Sequence, residues 1–168
     1  ALVDVAWRRS ELLSENRYIA KSEYSKLAED YAGVIDFFQV LVKSDLLADY
    51  CKKNRFAQER VEKALHDYES MAALADVHNE SYITNSFVEK KSYLDDILKD
   101  VDPDIQLDDD QRRVVLNDED YCLVVAGAGA GKTTTVAAKV KYLVEQQGID
   151  PKQILIITFT NKAVGELR

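Results

Sequence analysis

A chain of 168 residues, 46% of them hydrophobic, is long enough for one medium domain or two small ones and too apolar to be disordered. A net charge of −8 and a pI near 4.8 exclude a bulk basic footprint, so any nucleic-acid binding must come from a local site. The two cysteines, Cys51 and Cys122, have no paired spacing, which fits a reducing, cytoplasmic setting; no signal peptide or long apolar span points to secretion or a membrane.

The first hundred residues read as helices. Of the glycines only Gly33 precedes residue 127, and no proline precedes Pro103. Inside a helix those residues cost about 1 and 3 kcal/mol, so their scarcity favours long helices. Tyr24, Leu27, Tyr31, Val34, Phe38 and Leu41 follow a 3-4 repeat broken by Asp45. Val61, Leu65, Tyr68, Ala72 and Ala75 form a second stripe, and Ile83, Phe87, Leu94 and Leu98 a looser third. The spacing predicts helices near 10–50, continuous or interrupted, 55–76 and 80–99, with turns at "CKKNRF" and "ADVHNES". Short turns between long helices predict antiparallel hairpins. The stripes serve either a self-packing core or a docking arm for a protein partner. "KKNR" at 52–55 is either a solvated turn or a nucleic-acid contact. His66 and His78 are too few and too isolated for a metal site.

"DVDPDIQ", 100–106, is a polar connector, and after it the pattern changes. "YCLVVA", 121–126, and "ILIITF", 154–159, are short, β-branched runs bounded by turn residues, and read as buried parallel strands. "KTTTVAAKVKYLVEQQ" between them reads as a helix closed by Gly148 and followed by Pro151. Strand, helix, strand predicts a right-handed βαβ unit.

The turn between the first strand and that helix is "AGAGAGKTT", Ala126 to Thr134. It is a variant of the Walker A phosphate loop, with Ala126 where the strict pattern has glycine. Gly127, Gly129 and Gly131, alternating with Ala128 and Ala130, leave the backbone free to turn N–H groups inward. The helix N-terminus adds about half a positive charge toward an anion. Lys132 would neutralise β/γ-phosphate charge, and the Thr133 hydroxyl would ligate Mg²⁺. The loop therefore predicts binding of ATP or ADP with Mg²⁺; the bland alternative is a glycine-rich turn with an exposed lysine.

Taken in order, "LDDDQRRVV", "VVAGAGAGKTTT" and "ITFTNKAVGELR" resemble the start of a superfamily 1 DNA helicase of the UvrD/Rep group, in particular DNA helicase IV-like members with a helical segment before the motor. The resemblance covers residues 107–168. It implies a fold of α+α/β class: a helical N-terminal region of antiparallel helices, 1–106 with its linker near 100–106, then the truncated start of a RecA-like ATP-binding domain, 107–168, as a partial P-loop parallel βαβ unit.

The resemblance also implies roles. Gln111 would read adenine, its carboxamide offering one donor and one acceptor side by side. Asp108-x-x-Gln111 is equally a capping-box pattern, with Gln111 bonded back to the Asp108 N–H. Lys132 and Thr133 would be the catalytic pair, and Ala126 to Thr134 with Gln111 the nucleotide contacts. Phe159, Thr160, Asn161 and Lys162 correspond to a segment that contacts single-stranded DNA: Phe159 by stacking, the others through phosphates. On residues alone, Phe159 would close a buried strand and Thr160 would cap the next helix. Relatives often carry arginine where this chain has Thr134, which puts that residue's phosphate contact in doubt. The pattern "NKAVGELR" runs to the last residue, before any Walker B acidic pair, so the chain reads as an inactive fragment of an ATP-dependent 3′-to-5′ helicase. A helicase-like ATPase acting on RNA polymerase, or a helical interaction module, are the alternatives.

Overall fold

The computed structural model describes residues 2–158. They fold into α1 (Leu2–Ser14), α2 (Lys21–Lys43), α3 (Leu47–Asn54), α4 (Gln58–Glu69), α5 (Met71–Glu89), α6 (Lys91–Asp96), α7 (Asp109–Leu116) and α8 (Lys132–Glu145), with a 3₁₀ turn at Pro151–Gln153. The chain divides into two compact units, Ala1–Tyr82 and Ile83–Arg168. Among the described residues no helix is long and apolar enough to cross a membrane.

The first unit is a helical N-terminal region, as the glycine and proline pattern implies. Ile35, Phe38, Leu47, Cys51, Val61 and Leu65 form its core, with Val34, Leu41, Tyr50 and Tyr68 packed against it. Helices end without glycine. After α2 the chain turns at Asp45, with φ 57°, and the Leu46 N–H reaches back to the Leu41 carbonyl at 2.9 Å. After α3, Arg55 takes φ 59° and the Phe56 N–H bonds the Cys51 carbonyl at 2.9 Å. Both are Schellman-type ends with a residue other than glycine in the left-handed position, at a cost of about 1 kcal/mol each.

The turn expected at "ADVHNES" is absent. Helix α5 runs straight through it, and the break falls at Ser70, whose N–H bonds the His66 carbonyl. Two of the polar residues that suggested a turn, His78 and Asn79, make tertiary bonds instead. Asn79, buried, accepts from the Ile19 N–H at 2.8 Å and donates to the Ile19 carbonyl at 2.9 Å. His78 Nε2 donates to the Arg17 carbonyl at 2.8 Å. The connection after α1 is thereby pinned to α5, and the Arg17 guanidinium forks onto the Glu23 carboxylate at 2.6 and 2.7 Å.

In the second unit Leu94, Ile97, Leu98, Leu107, Val115, Leu116, Ala138 and Tyr142 share one core. The helix expected after the phosphate loop is α8, closed by Gly148 at φ 69°. The βαβ expectation is overturned: the described residues are helical, with no strand and no sheet. Residues 122–127 and 154–158 form no ladder. Tyr121, Leu123 and Val125 are 95, 89 and 89% exposed, and Leu155 and Ile157 are 83 and 85% exposed. The reason is physical. A buried parallel strand needs ladder partners for its N–H and C=O groups and cover on both faces, and the described residues supply neither.

Candidate nucleotide-binding site

The site is built on α7 and α8, which pack closely. Helix α7 starts at a complete capping box: Asp108 Oδ1 accepts from the Gln111 N–H at 2.8 Å, and Gln111 Oε1 accepts from the Asp108 N–H at 3.0 Å. The helix is held from behind by Arg112, whose Nε donates to the Leu107 carbonyl at 2.9 Å and whose guanidinium pairs with Asp95 at 2.6 Å. Its far end is tied to α8 by Lys139, which donates to the carbonyls of Val115 at 3.0 Å and Asn117 at 2.6 Å. Burial lowers the Lys139 pKa below the ordinary lysine value, opposed by nearby Asp118. Tyr142, buried beneath, accepts from Lys90 at 2.8 Å.

Between these helices runs the loop, exposed along most of its length. Gly129 and Gly131 take φ 78° and 72°, where glycine alone is unstrained. A Cβ on Gly131 would lie 2.5 Å from Gln111 Nε2. That nitrogen donates to the Ala130 carbonyl at 3.2 Å. Gln111 therefore serves two neighbours: its oxygen completes the cap of α7 and its nitrogen holds the glycine-rich loop. Open space surrounds Gly127 and Gly129, where nothing lies within 4 Å of an added Cβ.

Gly131 begins α8 without a side-chain cap, and the first turn carries no acidic residue. The first N–H groups of this helix are thus left to an external acceptor. Lys132 is turned back over the loop, its Nζ donating to the carbonyls of Gly127 at 2.6 Å and Ala126 at 3.1 Å. Thr133 and Thr134 are half-buried in the first turn, and Thr135 Oγ1 donates to the Gly131 carbonyl at 3.0 Å. An ammonium resting on weak carbonyl acceptors, an uncapped helix start and a glycine turn with open space fit a polyphosphate chemically. Among the described residues no cluster of three or more His, Cys, Asp or Glu could hold a metal ion unaided.

The structure thus brings together Gln111 and Ala126 to Thr134. Phe159, Thr160, Asn161 and Lys162 lie outside the described residues. Sequence reasoning missed Arg112 and Lys139. Lys139 had a signal: it follows Thr135 and Ala138 and precedes Tyr142 on the buried stripe of α8, where a lysine must find acceptors.

Residues 107–168 match the family profile described as the UvrD/REP helicase N-terminal domain. A probable DNA helicase II homolog of Mycoplasma capricolum is 48% identical over 62 residues, 37% of this chain and 9% of that protein. The putative ATP-dependent DNA helicase YjcD of Bacillus subtilis is 42% identical over 66 residues, 39% of this chain and 9% of the relative. The ATP-dependent DNA helicase UvrD1 of Mycobacterium leprae is 47% identical over 62 residues, 37% and 8%. The chain spans about a tenth of the length of these curated relatives. No solved structure matches it. The loop, the α7 cap before it and the segment after α8 all fall inside the matched stretch, so residues 107–168 are similar to the N-terminal domain of UvrD/REP helicases.

Proposed function

We propose that residues 107–168 are the nucleotide-gripping start of an ATP-dependent DNA helicase, preceded by a helical region whose last residues, Leu94, Ile97 and Leu98, pack into the same core. The observation that carries this reading is the bare N-terminus of α8 beside a lysine that has only loop carbonyls to bond. An arriving triphosphate offers Lys132 charged oxygens in their place, so the ammonium leaves Ala126 and Gly127 for the β/γ-phosphates. Backbone N–H groups from Gly127 to Thr133 turn toward the anion, and the glycines allow the approach. Thr133 supplies one oxygen ligand to a Mg²⁺ that the phosphates chiefly hold. When bound, ATP with Mg²⁺ supplies the energy of phosphoryl transfer.

Gln111 is proposed to face the adenine while remaining the cap of α7. Its bond to Ala130 then makes the base sensor a brace of the loop as well. Thr134, in place of the arginine common in relatives, leaves phosphate contact to Lys132. Single-stranded DNA is the proposed partner, met by Phe159, Thr160, Asn161 and Lys162, with 3′-to-5′ movement and a cytoplasmic setting taken from the family. Equilibrium binding of ATP and GTP to the wild type and to Gln111→Ala tests the adenine assignment. ATP should weaken more than GTP. An equal loss for both nucleotides would reduce Gln111 to the cap and brace that it already forms.

A further inference from the structure

Four helices of the first unit, α1 to α4, surround a cavity of about 630 Å³. Its volume lies within the roughly 300–1,000 Å³ typical of ligand pockets. One wall is aromatic. Phe38 and Tyr50 meet edge to face with centroids 5.8 Å apart, and Tyr50 stands 6.3 Å from Phe56. Phe56 is 53% exposed, so that wall opens to solvent.

The rest of the lining is cationic. Arg9, Arg55, Arg60 and Lys63 contribute four positive charges, and Asp67 a single carboxylate. Asp67 is already taken by Arg9 at 2.8 Å. Arg55, Arg60 and Lys63 are exposed and make no ion pair among the described residues. Arg9 Nε is buried with no acceptor, which leaves its guanidinium under-satisfied. A chain of net charge −8 therefore concentrates unpaired cations around one apolar hollow.

That combination selects its occupant. A nucleic-acid strand needs cations spaced along several phosphates. Here the cations ring a single concavity, and α4 exposes Glu59, Glu62 and Glu69 beside it. A polyanion running along α4 would meet those carboxylates, whereas a compact segment seated in the hollow would not. We propose that this cavity docks an acidic polypeptide segment. The segment seats one aromatic or branched aliphatic side chain against Phe38, Tyr50 and Phe56, and its flanking carboxylates pair with Arg55, Arg60 and Lys63.

The test uses the full chain and fluorescein-labelled peptides read by anisotropy at low salt. The probe is Asp-Asp-Phe-Asp-Asp. Its comparators replace every Asp by Asn, or the Phe by Ala, and a short labelled oligothymidylate stands for nucleic acid. The acidic Phe peptide should bind, and each altered peptide should bind at least about tenfold more weakly. Arg60→Glu with Lys63→Glu should weaken the acidic peptide by at least about tenfold while the circular dichroism melt stays unchanged, because both side chains are exposed. If that double variant melts early, Arg60→Gln with Lys63→Gln gives the same comparison without charge reversal. No binding to the wild type would overturn the proposal, as would indifference to peptide charge, indifference to both double variants, or oligothymidylate binding as tightly through the same cations.

Discussion

The core around Tyr142 and the stretch Tyr121–Val125 are both rich in apolar residues, yet water reaches only one of them. Leu94, Val115, Leu116, Ala138 and Tyr142 are each 1% exposed or less, while Leu123 and Val125 are each 89% exposed. The difference lies in the backbone. A helix satisfies its own N–H and C=O groups, so one apolar face against another completes its burial. An extended segment brings unsatisfied polar groups wherever it goes and cannot be buried without a ladder partner. Exposure alternates along both extended runs: 89, 45 and 89% from Leu123 to Val125, and 83, 37 and 85% from Leu155 to Ile157. A strand-like alternation of period two is present, and the pairing and burial expected of parallel strands are not.

Core truncation should break this comparison most sharply. Tyr142→Ala removes a fully buried ring and should cost about 3–5 kcal/mol, whereas Leu123→Ala should stay within about 0.5 kcal/mol, both read by urea unfolding. Equal costs would mean that the exposed run is covered in solution. Next comes the polar pin of the first unit. Asn79→Ala leaves the buried Ile19 N–H and carbonyl without partners, at about 1–3 kcal/mol for each group. Wild-type stability in that variant would show that the connection after α1 is held by other contacts. Asp108→Ala removes the cap of α7 and should cost about 1 kcal/mol.

The smallest effect is a pH slope. Burial holds the Lys139 pKa below 10.5, so the folded chain releases that proton before the unfolded chain does. Between the folded value and 10.5 the unfolded state binds more protons, and this group's penalty is relieved as pH rises. The difference between wild-type and Lys139→Met stability curves should rise through that window and be flat outside it. A flat difference throughout would place Lys139 in water.

Much of the helical region was legible in its scarcity of glycine and proline, because no other residue types break helices as strongly. The break at Asp45 was legible as the end of a repeat. The continuous course of α5 was not, because Asp76, His78 and Asn79 have turn chemistry locally, and the use of His78 and Asn79 was decided by residues some sixty positions away, at Arg17 and Ile19. The sharp turn before α8 could be read from its glycines, of which Gly129 and Gly131 take positive φ. The double use of Gln111 could not, since its second partner, Ala130, is set by how α7 packs on α8. The extended runs misled for a related reason: an apolar β-branched run shows what would favour burial, and pairing partners lie elsewhere in the chain or not at all.

The central claim is that the turn from Ala126 to Lys132 is a working phosphate cradle. Calorimetric titration of ATP with Mg²⁺ into the wild type and into Lys132→Ala, at matched circular dichroism spectra, tests it most directly. The wild type should bind one nucleotide, and the variant should lose at least about tenfold in affinity. Equal binding by the two chains, or no binding by the folded wild type, would contradict it.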